Sequence, residues 1–132
     1  YVARWAIYLH DTATPDQNSQ RIVFVEQRAT NNDGELPAKL ASALNLTVDG
    51  ITYAVLDQGQ ILELYVAPFS GAMYGVEDMT LDVKALLDAL VAKGLLSSDL
   101  FLNGVQAGWE VTAGGKFRSD VFWFAVQDEL DR

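Results

Sequence analysis

The stretch LNGVQAGWEVTAGG, residues 102–115, decides how the rest of the chain is read. Strand geometry places Gln106, Gly108 and Glu110 on one face and Val105, Ala107, Trp109 and Val111 on the other. One face is polar and small; the other is apolar. A glycine inside a strand weakens it unless a ligand, a bulge or another backbone comes close, so Gly108 draws attention to the polar face. Glu110 is therefore either a solvent-facing carboxylate or a group placed there for chemistry. The strand is expected over residues 99–111. A turn at Gly114-Gly115 and a closing strand over 116–127 should follow, with Val121 to Val126 apolar on both faces.

Immediately upstream the period changes. In MTLDVKALLDALVAKG (79–94), Val83, Leu86, Leu87, Leu90 and Val91 make an apolar stripe at helical spacing, with Lys84, Asp88 and Lys93 off it. The segment is an amphipathic helix with Thr80 as the expected N-cap, Asp82 near the positive end of the dipole and Gly94 as the stop.

The remainder alternates as strands do. VARWAIYL (2–9) and RIVFVEQRA (21–29) read as an antiparallel pair joined by a polar connection containing Pro15. Residues 30–43 read as a loop with a short helical turn near its end. Asp49-Gly50, between alternating segments of LTVDGITYAVL (46–56), is the signal of a two-residue hairpin. QILELYVAPF (60–69) follows, with Glu63 and Tyr65 on one side and Leu62, Leu64 and Val66 on the other.

A chain of 132 residues is one domain's worth. Its 18 acidic residues against 9 basic ones give a net charge of −9, which opposes phosphate backbones and anionic lipid, so neither nucleic acid nor a membrane is an expected partner. Without cysteine there is no disulfide framework, thiol nucleophile or thiolate metal site. The sequence opens on Tyr1 inside a strand, which reads as a processed or partial polypeptide. Asn45-Leu46-Thr47 fits the N-glycosylation pattern.

Of the possible chemistries, nucleotide and metal sites lack their motifs, so no cofactor or metal is expected. His10 stands beside Asp11 with no serine in a nucleophile context. Carboxylates remain. Paired carboxyl groups cleave glycosidic bonds, one protonating the leaving oxygen while the other attacks or activates water. Glu26, Glu63, Glu77, Asp78 and Asp57 are the possible partners of Glu110, and each reads more readily as plain surface than as catalytic. The aromatic side chains, Trp5, Tyr65, Trp109 and Trp123 among them, serve a core or offer flat faces on which sugars stack.

The helix DVKALLDAL (82–90), then Gln106-Ala107-Gly108-Trp109-Glu110 and Gly114-Gly115, resembles the C-terminal part of glycoside hydrolase family 12. The family's pattern there is a helix D-x-K-x-x-x-x-x-L, a strand Q-x-G-x-E and a glycine turn. The resemblance implies a mainly β fold, a partial concanavalin-like jelly-roll sandwich of antiparallel strands with one helix on its back. It implies endo-hydrolysis of β-1,4-glucan or xyloglucan, an extracellular setting, and Glu110 as general acid/base. Gln106, Trp109, Trp123, Trp5 and Tyr65 would contact substrate. Upstream, the family's strand V-A-Y-D corresponds to YVARWAIYL, with Trp5 where the aspartate stands. Its Y-E-x-M-I-W corresponds to RIVFVEQ, with Ile22 at the nucleophile's place. Glu26, on the same face roughly 13 Å further along, is the candidate second carboxylate. The alternative is a glycan-binding or structural assembly protein that kept the scaffold and lost the nucleophile. The family's first strands lie outside this chain, so an open sheet edge is expected to pair with a second copy or with a preceding segment.

Overall fold

A computed structural model describes residues 1–12, 21–31 and 34–111. The glycine turn at 114–115 and the closing strand with Trp123 lie outside the described residues, as does most of the first connection.

Seven strands among the described residues form one sheet: β1 (Val2–His10), β2 (Arg21–Thr30), β3 (Leu44–Val48), β4 (Ile51–Gln58), β5 (Ile61–Val66), β6 (Met73–Gly75) and β7 (Phe101–Glu110). Their order is β3-β4-β5-β2-β1-β7, with β6 paired to the end of β2. The mainly β expectation is met. Every pair is antiparallel except one, for β2 and β5 run parallel from Ile22↔Ile61 to Glu26↔Tyr65. That corrects the all-antiparallel reading. The chain between them holds a short helix, α1 (Leu36–Lys39), and the β3–β4 hairpin, long enough to return it to the same end of the sheet.

Local chemistry accounts for most of the elements. At the β3–β4 turn Asp49 and Gly50 both have positive φ, 52° and 77°, as a type I′ turn requires. The second helix, α2 (Val83–Ala92), is capped by Asp82, whose carboxylate accepts from Ala85 N at 3.0 Å; this displaces the expected Thr80. At its other end Leu95 N donates to Leu90 O and Gly94 N to Val91 O, a Schellman closure. Strand β6 was not anticipated, since three residues are too few to show a period. It is held at Gly75, where φ is +90° and a Cβ would stand 1.9 Å from Gln27 O.

The sheet has two unlike faces. On one, Ile7, Leu9, Val23, Val25, Tyr53, Val55, Leu62 and Leu64 meet Leu86 and Leu90 of α2 in the main core. The helix therefore lies on the face away from Glu110, as expected. On the other face a smaller cluster of Ala29, Ala54, Tyr65 and Tyr74 buries Leu36, so α1 covers the β2-β5-β4 side. Among the described residues, no helix packs on the β1–β7 side of this second face.

Candidate carbohydrate site

The open side of the second face is built around Arg4. In the register of β1, Arg4 stands between Glu26 of β2 and Gly108 of β7. A bulge at Gln27, with Ala3↔Arg28 followed by Arg4↔Glu26, sets that alignment and sends Glu26 and Arg28 to opposite faces. Arg4 Nε and Nη2 each lie 2.8 Å from Glu26 Oε1, and Nη1 lies 2.6 Å from Glu110 Oε2. The guanidinium also sits 4.1 Å from the centre of the Phe24 ring. One planar cation therefore bridges the two carboxyl groups, and its width brings their oxygens within roughly 8 Å of each other.

The two carboxyl groups are not equivalent. The Glu26 side chain is 0% exposed and that of Glu110 54%. Burial pushes the Glu26 carboxyl up to about 7; Arg4 opposes that rise, and the charges of Glu63 and Glu110 add to it. Among the described residues the buried Glu26 Oε2 has no hydrogen-bond partner, so it has room to carry the proton.

A second charged group lies under α1. Lys39 Nζ is 2.8 Å from Glu63 Oε1 and donates to the Tyr65 hydroxyl at 2.8 Å. Burial works against the Lys39 charge, but those contacts outweigh it and its pKa is raised. The Tyr65 hydroxyl is pushed up to about 12, chiefly by burial. Glu26 and Glu63 are thus buried ionisable groups with cationic partners, where the strand pattern allowed plain surface.

Between these two groups opens a groove of about 320 Å³, lined among others by Tyr1, Thr30, Glu35, Lys39, Tyr65 and Glu110. That volume falls at the small end of ligand pockets, which run from about 300 to 1,000 Å³. Gln106 lies on the same face, its Oε1 accepting from the Tyr8 hydroxyl at 3.1 Å. Of the expected sugar contacts, Glu110 and Tyr65 line the groove. Trp5 does not: it packs against the α2-side core and donates from Nε1 to Gln27 Oε1 at 2.9 Å. Trp109 also belongs to that other face, edge-on to Tyr1 with ring centres 5.4 Å apart. In both cases the period-two rule, which sets these residues opposite to Glu110, outweighs their proximity to it in sequence. Trp123 lies outside the described residues. Arg4 and Lys39 were not singled out from the sequence, although an arginine within the apolar run VARWAIYL is a signal that a partner charge is near. Gly108 faces Arg4 across the sheet, and among the described residues a Cβ there would meet nothing within 4 Å. Among the described residues no group of three or more His, Cys, Asp or Glu is arranged to hold a metal ion.

The fold is that of the family 12 glycoside hydrolases, in a divergent form. A family 12 xyloglucanase from Bacillus licheniformis in complex with ligand superposes with a TM-score of 0.60 at 18% identity, covering 81% of this chain and 47% of that one. The native form of that enzyme gives 0.59 at 17% identity with the same coverage. A third structure, from a comparison of family 12 glycoside hydrolases and substitutions important for their thermal stability, gives 0.54 at 17%, covering 81% and 46%. The chain spans about half the length of the structures it matches. No protein-family model and no curated protein matches the sequence.

Proposed function

We propose that this chain is the glycan-holding part of a protein directed at β-1,4-glucan or xyloglucan, and that in the arrangement described here it binds without cleaving. The observation that carries this reading is the unequal exposure of the carboxyl pair. Glu26 is sealed beneath Arg4, so only Glu110 reaches a sugar in the groove. Cleavage by either common route needs two carboxyl groups on the substrate, about 5–5.5 Å apart for retention or about 6.5–9.5 Å for inversion. Here a guanidinium fills the space between them. Glu110, Lys39 and Gln106 supply polar partners for hydroxyl groups, while the Tyr65 ring is buried under Lys39 and presents no open face.

A second reading is endo-hydrolysis, with Glu110 as acid/base and Glu26 as the second carboxyl group. It is favoured by the short span between their oxygens, and it requires Arg4 to swing clear. Both readings fit an extracellular polysaccharide ligand. The exposed Phe101 and Leu102 on β7, an outer strand of the described sheet, fit the expected self-association.

Calorimetric titration with soluble xyloglucan and β-1,4-glucan, alongside a reducing-sugar assay, separates them. Binding that Glu110→Gln weakens, with no sugar release, supports the first reading. Release of reducing ends that is lost in both Glu110→Gln and Glu26→Gln establishes the second. If neither polymer binds, both fail.

A further inference from the structure

The groove has a wall at one end. Helix α1 rises from the same face as Glu110 and contributes Glu35, Leu36 and Lys39 to the lining. It is fastened at three points. Leu36 is buried with Tyr65 and Tyr74 in the smaller core cluster, Leu36 N donates to Asn31 Oδ1 at 3.1 Å, and Lys39 is ion-paired to Glu63 of the strand beneath. From β5, under the helix, to β7, which carries Glu110, the sheet advances three strand spacings, roughly 14 Å at about 4.8 Å each. Beyond β5 the face is occupied by α1 and the residues packed around it, Leu40, Ala43 and Leu56 among them. Among the described residues, a polymer lying across the strands from β7 towards β5 meets α1 as a fixed obstruction.

We infer that the groove takes the end of a β-linked glucan chain, a terminal segment of a few rings, and does not pass an internal stretch of polymer. The inference rests on the glycan reading above and narrows it from a polysaccharide to its ends. The polar groups at the wall suit a terminal sugar, which offers a hydroxyl group where an internal ring has a glycosidic link. Lys39, whose ammonium is ion-paired to Glu63 and donates to the Tyr65 hydroxyl, and Glu35 both line the groove at this wall. A site built to hydrogen-bond a hydroxyl discriminates strongly against a ligand that lacks it.

The test needs only the chain as it stands. It is titrated calorimetrically with cello-oligosaccharides of increasing length, and with soluble β-1,4-glucan before and after limited endo-cleavage of the polymer. The expected result is an affinity per molecule that stops rising once the short span is filled, and a number of binding sites per gram that grows in proportion to the ends created. Affinity that climbs with every added ring, with sites per gram unchanged by cleavage, overturns the inference and leaves glycan binding intact. Absence of binding at every length overturns the glycan reading and this inference together.

Discussion

Replacing Glu26 by glutamine tests the electrostatics on which the site is built. In the native chain burial lifts this carboxyl from its ordinary 4.5 to about 7. Between those two values the folded chain holds more protons than the unfolded one, so stability falls as pH rises through the window and levels off above it. At about 1.4 kcal/mol for each pH unit of displacement, the group makes the native state about 3 kcal/mol less stable at pH 8 than at pH 4. Glutamine keeps an oxygen for Arg4 to bond and removes the titration. The charge-assisted part of that bond is lost in the variant, which tells against it most strongly where Glu26 is ionised and trims the difference. Urea unfolding of both proteins at a series of pH values gives the difference directly, since groups elsewhere in the chain largely cancel. The variant should gain on the parent by up to about 3 kcal/mol between pH 4 and pH 8, with the change centred between 4.5 and 7. Parallel stability curves would show that Arg4 keeps Glu26 an ordinary ionised carboxylate, and the account of a proton held on Oε2 would fall.

Three further outcomes rest on packing and backbone geometry. Gly75→Ala places a Cβ 1.9 Å from Gln27 O at a φ of +90°, so it should cost about 3 kcal/mol or more and lower the unfolding midpoint sharply in a thermal melt. Asp82→Ala removes the cap of α2 and should cost about 1 kcal/mol in urea unfolding, whereas Thr80→Ala should cost much less. Leu90→Ala, at a fully buried position on the core-facing side of α2, should cost about 2–5 kcal/mol by the same measurement.

What could be read from the residues divides along the range of the interactions. The stripe Val83, Leu86, Leu87, Leu90 and Val91, the turn at Asp49-Gly50 and the alternation of residues 61–66 are local patterns, and each became the expected element. The pairing of β2 with β5 is not local: alternation assigns side chains to faces but names no neighbour, so a parallel contact between strands distant in sequence left no mark. The same limit applied to the site. That Glu63 shares a face with Tyr65 could be foreseen, but its burial, and the placing of Glu26 on that same face, depend on α1, Arg4 and the β2–β5 pairing. Trp5 and Trp109 were expected at the sugar on chemical grounds, while their parity along the strands already set them against the other face.

The β2–β5 contact also divides the sheet into two blocks that assemble differently. On one side β3, β4 and β5 follow one another through tight turns; on the other β1 and β2 join as antiparallel neighbours. The tight turns within β3–β5 close short loops, bringing Ile22 to Ile61 closes a longer one, and docking β7 on β1, where Val2 stands opposite Glu110, closes the longest. These two long-range junctions therefore set the pace of folding, and the groove, which needs Glu110 beside Arg4, is completed only once β7 has docked.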